Sequence, residues 1–240
     1  MIAPASSPAD DSPGPKSDLR AVVGAAAVPS AICGVMMALM ALSAGASLGL
    51  YLGGLGVAAM LAAPLVLAER TPLRRFSAAG GVIDTIGVAW LIAALASETT
   101  LGEWLACYVL LAAMVAAVAA LAVLLHELRV HAALASGLTT VIALAWVSWP
   151  IWLTAALKGP RGQGMVDWLT PAHPPLAANG VLRHLGIWGE QSIMYRLTII
   201  GQDIPYALPE SVVAAVALHV LLAGGLLLAA LMLAAYRGSR

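Results

Sequence analysis

Six apolar stretches, each long enough to cross a bilayer, fill most of the 240 residues, and five of them hold no formally charged side chain. They are Ala21–Ser43, Leu48–Ala68, Ala78–Ala96, Trp104–Leu125, Ala132–Leu157 and Ser211–Tyr236. A spanning helix needs ~20 mostly apolar residues at ~1.5 Å rise each. The runs are continuously apolar, whereas the strands of a membrane barrel alternate apolar with polar residues. The expectation is an all-α, polytopic integral membrane protein with six transmembrane helices. Charged residues make up 10% of the chain and its mean hydropathy is +0.93. A soluble domain carries ~25% charged residues, so the outer surface is built for lipid.

Zero net charge without basic runs gives no indication of a nucleic-acid partner. Cys33 and Cys107 fall inside the first and fourth stretches, far from any metal-binding spacing, and read as small apolar packing residues. The first twenty residues, with Asp10, Asp11, Pro13, Gly14 and Pro15, read as a disordered tail followed by an uncleaved first helix.

Basic residues mark the cytoplasmic side of a membrane protein. With six spans and an N-terminus inside, Lys16, Arg20, Arg70, Arg74, Arg75, Arg129, Arg237 and Arg240 all fall on that side. The opposite side receives Glu98 and Glu103, with four basic residues spread over one long loop. Both termini are therefore expected in the cytoplasm, with the protein in the cell (inner) membrane. Trp104, Trp146, Trp149, Trp152, Trp168 and Trp188 gather at the outer ends of the spans, the headgroup depth that indole prefers. Pro150 is expected to kink the fifth span near that end. Gly45, Gly49 and Gly53 recur every four residues along one face of the second span, where another helix can approach closely.

Between the fifth and sixth spans lies an extracytoplasmic segment, Lys158 to Glu210, too long for a mere connection and too apolar for disorder. It opens with Lys158-Gly159-Pro160-Arg161-Gly162-Gln163-Gly164, a flexible exit from the bilayer. A short amphipathic helix is expected near Leu176, with Ala178, Val181, Leu182, Leu185 and Trp188 on one face, and a second at roughly 190–200. Such helices lie on the interface or dip between spans. Pro209 and Glu210 then start the sixth span.

Functional residues are sought on this outer side: His173, His184, Glu190, Arg196, Asp203 and His219. Glu190 and Arg196 stand too far apart along one helix for an (i, i+3) or (i, i+4) pair. Histidine and carboxylate ligands suit a transition metal, and two histidines suit haem, but no ligand spacing of a known type is present. Cofactor identity therefore stays unknown from sequence. Asp84 and His219 are the ionisable groups inside spans, a position that by default marks a pathway or a specific pair. Asp84 enters one or two turns from the cytoplasmic end of its span, within reach of Arg74, Arg75 or its own helix terminus. Gly45-Ala46-Ser47-Leu48-Gly49 matches GxSxG, yet it lies at a helical hairpin rather than in the strand–turn–helix context that makes a nucleophile elbow. His126-Glu127-Leu128-Arg129-Val130-His131 reads as a solvated cytoplasmic turn.

Six spans, cytoplasmic termini and short helices between spans five and six resemble, in topology, the ABC-2-type permeases. That resemblance implies export driven by a separate ATPase, and it brings no functional residue with it. The amphipathic helix those permeases place before span one is replaced here by a Pro/Asp/Ser tail. No Walker, dinucleotide-binding or metalloprotease signature occurs. The expected function is a non-catalytic membrane subunit, a permease or permease-associated component, held with a protein partner or as a homo-oligomer. The alternatives are a redox or metal-handling membrane subunit with its site at the outer face, and an assembly or scaffold protein.

Overall fold

The computed structural model describes residues 15–44, 48–153, 157, 160–185 and 207–238. All secondary structure among them is helical. Five helices are long and apolar enough to cross a membrane: α1 Pro15–Ala44, α2 Leu48–Ala68, α3 Pro72–Leu95, α4 Leu101–Glu127 and α9 Val213–Gly238. Between α4 and α9 lie α5 Ala132–Val147, α6 Trp149–Trp152, α7 Pro160–Leu169 and α8 Pro174–Val181.

Two ends of the bundle follow from the connections. The arginine end holds the α2–α3 and α4–α5 turns and the last turn of α9, where Arg237 lies 3.7 Å from Glu127. The loop end holds the α3–α4 turn and the described residues between Ser148 and Val212. Capping fixes these turns. Thr71 accepts from the Arg74 amide with Pro72 in the first turn of α3, and Thr100 and Glu103 form a reciprocal capping box on α4.

Helix α2 is the hub, packed by α1, α3, α4 and α5. Its close approach to α3 centres on Gly54: a methyl group there would sit 2.6 Å from the Trp90 indole nitrogen and 2.9 Å from Ile86. Trp90 is fully buried and donates to the Leu50 carbonyl at 3.3 Å, while Tyr51 donates to the Trp90 carbonyl at 3.3 Å. This is the tryptophan that the interfacial pattern leaves out, and it serves as a bolt between α2 and α3. On the other face of α2, a methyl group at Gly53 would meet only the flexible end of Met40 on α1. Gly49 lies on α2 beside the core, and Gly45 lies outside the described residues. Cys33 and Cys107 are buried in the core.

Three expectations are corrected. Helix α3 begins at Pro72 rather than Ala78, which moves Asp84 from near a helix end to its middle. It is about 18 Å along the axis from Pro72 and about 16 Å from Leu95 at ~1.5 Å per residue. Its partner is neither Arg74 nor Arg75 but Tyr108 on α4, whose hydroxyl donates to Oδ1 at 2.8 Å. The fifth stretch is not one kinked helix either: α5 stops at Val147, ahead of Trp149 and Pro150, and is about 24 Å long. Lastly, the supposed flexible exit from the bilayer carries α7 over most of its length.

Candidate functional site

A helix that stops after 16 residues leaves carbonyls without intrahelical partners at its C-terminus, and where water is excluded each must be satisfied inside the protein. Side chains beyond the break supply the donors. The Ser148 hydroxyl donates to the Leu144 carbonyl at 2.7 Å, and the Trp152 indole N–H donates to the Ala145 carbonyl at 2.8 Å. The last carbonyl, Val147, lies 2.9 Å from Nε2 of His173, 26 residues further on. A carbonyl only accepts, so Nε2 carries the proton and Nδ1 is left as an acceptor.

His173 reaches that carbonyl because the chain turns back. The turn Thr170–Ala172 packs against α9, and α8 packs against α2 and α4. Pro174 and Pro175 start α8 with a fixed φ. Every residue from Pro174 to Gly180 is buried, and Ala177, Ala178 and Leu182 join the main core. A surface-lying amphipathic helix would leave one face open; α8 is instead enclosed by protein. A methyl group at Gly180 would run into the Pro209 carbonyl, so glycine lets the start of the α9 segment lie directly on α8. Arg183 and His184, beyond the helix, are exposed.

The centre of the arrangement is Trp146. Its ring stands edge-on to His173 at 6.0 Å and tilted to His219 at 6.2 Å, and Trp149 adds a second edge contact to His173 at 5.6 Å. His173 and His219 are 1% and 3% exposed. Trp146 Nε1 donates to His219 Nε2 at 3.2 Å, while His219 Nδ1 donates to the Ala215 carbonyl at 2.7 Å. An indole nitrogen only donates and a carbonyl only accepts, which sets the tautomer. Both nitrogens of His219 are thus engaged. A metal or haem iron at Nε2 would have to displace the Trp146 N–H.

Of the six residues expected to form an outer polar core, the fold brings His173 and His219 together through Trp146. His184 lies apart, with Nδ1 3.5 Å from Oε1 of Glu103 at the start of α4. Glu190, Arg196 and Asp203 lie outside the described residues. No group of three or more metal-ligating side chains occurs among the described residues. Sequence reasoning missed Trp146 as the joint, Tyr108 as the partner of Asp84, and a run of buried polar atoms. Trp149 Nε1, Thr170 Oγ1, His173 Nδ1 and both amide atoms of Asn179 have no hydrogen-bond partner among the described residues. The only advance signal was the density of Trp, Thr, His and Asn within Trp149–Asn179.

Burial pushes the His173 imidazole down, to about 3, with hydrogen bonds to the Val147 and Trp146 carbonyls opposing the shift in part. An unfolded histidine titrates near ~6.5. The folded pKa lies below the unfolded one, so the unfolded state takes up the proton first. Stability is full above pH ~6.5 and falls by about 1.4 kcal/mol per pH unit below it. Taking the protein from pH 7 to pH 5 is expected to cost about 2 kcal/mol through this group alone. His173→Gln, which keeps a donor for Val147, should show a shallower fall in melting temperature across that range. An unchanged slope would mean that His173 is not the buried neutral group described.

Comparison of the chain with family models, with curated proteins and with solved structures finds no match.

Proposed function

We propose that the chain is a non-catalytic, multi-pass subunit of a larger membrane assembly, of permease type, with six spans and both termini on the cytoplasmic side of a cell membrane. The sixth span in this reading is α5, whose capped carbonyls let it end within the outer leaflet and whose chain continues as α6. The arginine end supports the orientation, and the burial of α8 supports the reading of the outer face as the functional one. The energy source would come from the partner, because no nucleotide-binding motif occurs in the chain.

The observation that carries the subunit reading is Asp84. Acidic groups within spanning helices almost always face the bundle interior or a water-filled cavity, and at a helix centre they cost about 2.5–3.5 kcal/mol. Asp84 sits at the centre of α3 and is exposed on the outside of the bundle. Tyr108 supplies its hydrogen bond, and Val88 and Ile92 on the next two turns are exposed apolar residues. Gly80, one turn earlier, has open space where a side chain would be. A carboxyl in that place fits a neighbouring membrane helix that brings a donor or a cation to mid-depth. In mild detergent the chain should purify with a stoichiometric membrane partner. Asp84→Leu should lose that partner while its own abundance is kept, because the hydrogen bond to Tyr108 lies at the exposed surface of the bundle and not in its core. A wild-type chain that purifies alone as a monomer from its native membrane sinks the subunit reading.

A further inference from the structure

Helices α3 and α9 both pack on α4 without packing closely on each other. At the arginine end the space between them is a groove of about 430 Å³, within the ~300–1,000 Å³ of small-molecule sites. Ala116 and Ala120 on α4, Ala79 and Gly80 on α3 and Leu227 on α9 are typical of its lining. The small residues leave room for an occupant: a methyl group at Gly80 would meet nothing within 4 Å. Phe76 and Leu231 at the sides are exposed, so the groove opens outward to where lipid would lie.

The polarity of this groove runs lengthwise. Its two charged lining residues, Arg75 and Glu127, both lie at the arginine end, and every other lining residue is apolar. Along α4 it extends from Glu127 to Ala116, about 16 Å at ~1.5 Å rise per residue. That is the depth of one leaflet, half of a ~30 Å hydrocarbon core. Glu127 is paired with Arg237 at 3.7 Å. Arg75 has no acidic partner among the described residues. Its Nε donates to the Glu69 carbonyl at 2.9 Å, which holds the guanidinium in place, and its two amino groups find no acceptor among those residues. Arg74 and Arg75 also stand in the first turn of α3, which holds no acidic residue. Cations are unfavourable at that positive end of the helix dipole, and an anion there relieves both charges.

We propose that this groove binds an anionic phospholipid, with its phosphate on the Arg75 amino groups and one acyl chain laid along α4 towards mid-membrane. A phosphate takes two parallel hydrogen bonds from a guanidinium, the geometry that Arg75 leaves free. Basic pockets between spanning helices are a recurring seat for such headgroups. A free phosphate would leave the apolar length unfilled, and a neutral lipid would leave the arginine charge uncompensated. Asp84 is not part of the lining, and the site does not depend on the subunit reading.

The test uses the purified full-length chain, stripped of lipid in detergent, and counts bound lipid by native mass spectrometry. Dioleoylphosphatidylglycerol and dioleoylphosphatidylcholine, which carry the same chains, are titrated separately. Phosphatidylglycerol should bind saturably, one per chain, and about tenfold more tightly than phosphatidylcholine, the size expected from one charge-assisted pair. Arg75→Gln should erase that preference, and Arg75→Lys, which keeps the charge, should retain part of it. Gly80→Leu, whose side chain enters open space, should weaken the binding of both lipids by filling the groove without disturbing the core. Equal affinity for the two lipids in wild type overturns the proposal. A preference that survives in Arg75→Gln puts the phosphate elsewhere, and affinity unchanged in Gly80→Leu puts the chain elsewhere; either result overturns the site. None of these outcomes touches partner copurification, so the two readings fall separately.

Discussion

Leucine at Gly54 is expected to lower stability by roughly 3 kcal/mol, a fall of about 6–12 °C in melting temperature, because it must displace a buried tryptophan from a close-packed interface. The Trp90 indole cannot swing aside without giving up its hydrogen bond to the Leu50 carbonyl and its place beside Tyr51, whose ring centroid lies 5.3 Å away. Alanine at two adjacent positions makes a sharper comparison. Replacing a helical glycine by alanine gains about 0.8–1.0 kcal/mol of helix propensity, whereas overpacking costs about 1–3 kcal/mol. At Gly53 the added methyl meets the end of Met40, which can move, and the propensity gain should prevail. At Gly54 it meets Trp90 and Ile86, which cannot, and the overpacking cost should prevail. Opposite signs in thermal melts of Gly53→Ala and Gly54→Ala are the expected result. Equal signs would mean that α2 presents a different face to α3.

Removal of the Trp146 side chain should have an effect of the same size and a more specific consequence. Trp146→Ala is expected to cost about 3 kcal/mol, the lower end for a large aromatic residue, because this ring is only partly buried. It also leaves His219 Nε2 without its donor and takes away one of the two rings that enclose His173. Helix α7 and the small cluster of Trp149, Val166 and Leu176 should then open while the long helices stay packed. Val166, fully buried in α7, provides the reporter. In a background with Cys33 and Cys107 replaced by alanine, Val166→Cys should resist a membrane-impermeant maleimide and become reactive once Trp146 is alanine. Trp146→Phe keeps most of the ring and loses only the N–H, so about 1 kcal/mol should be lost. Continued protection of Cys at 166 in the alanine variant would show that Trp146 does not hold the segment.

Part of this architecture is legible in composition alone. Long uncharged apolar runs fold as helices because an unpaired backbone group in lipid is prohibitively costly, and hydropathy is a local property that a window along the chain can measure. The composition of the segment after the fifth stretch was legible for a similar reason: it concentrates His, Trp and Pro where a connection needs none. The true start of α3 was also available, in Thr71-Pro72, but the apolar window that opens at Ala78 hid it, and with it the central position of Asp84.

What the sequence by itself determined is that the long apolar runs are helical, and where along the chain His, Trp and Pro gather. Tertiary structure alone decided where α5 stops, which glycine admits a neighbour, and which polar groups meet. The last carbonyl of α5 is satisfied by a donor that His173 brings from 26 residues away, and the state of His219 depends on an indole 73 residues away. Gly53 and Gly54 are adjacent and chemically identical, and only the position of Trp90, on another helix, makes one replaceable and the other not. Helix formation rests on bonds four residues apart, which a sequence displays. Close approach and polar pairing between helices rest on partners brought together by the fold, and nothing local encodes them.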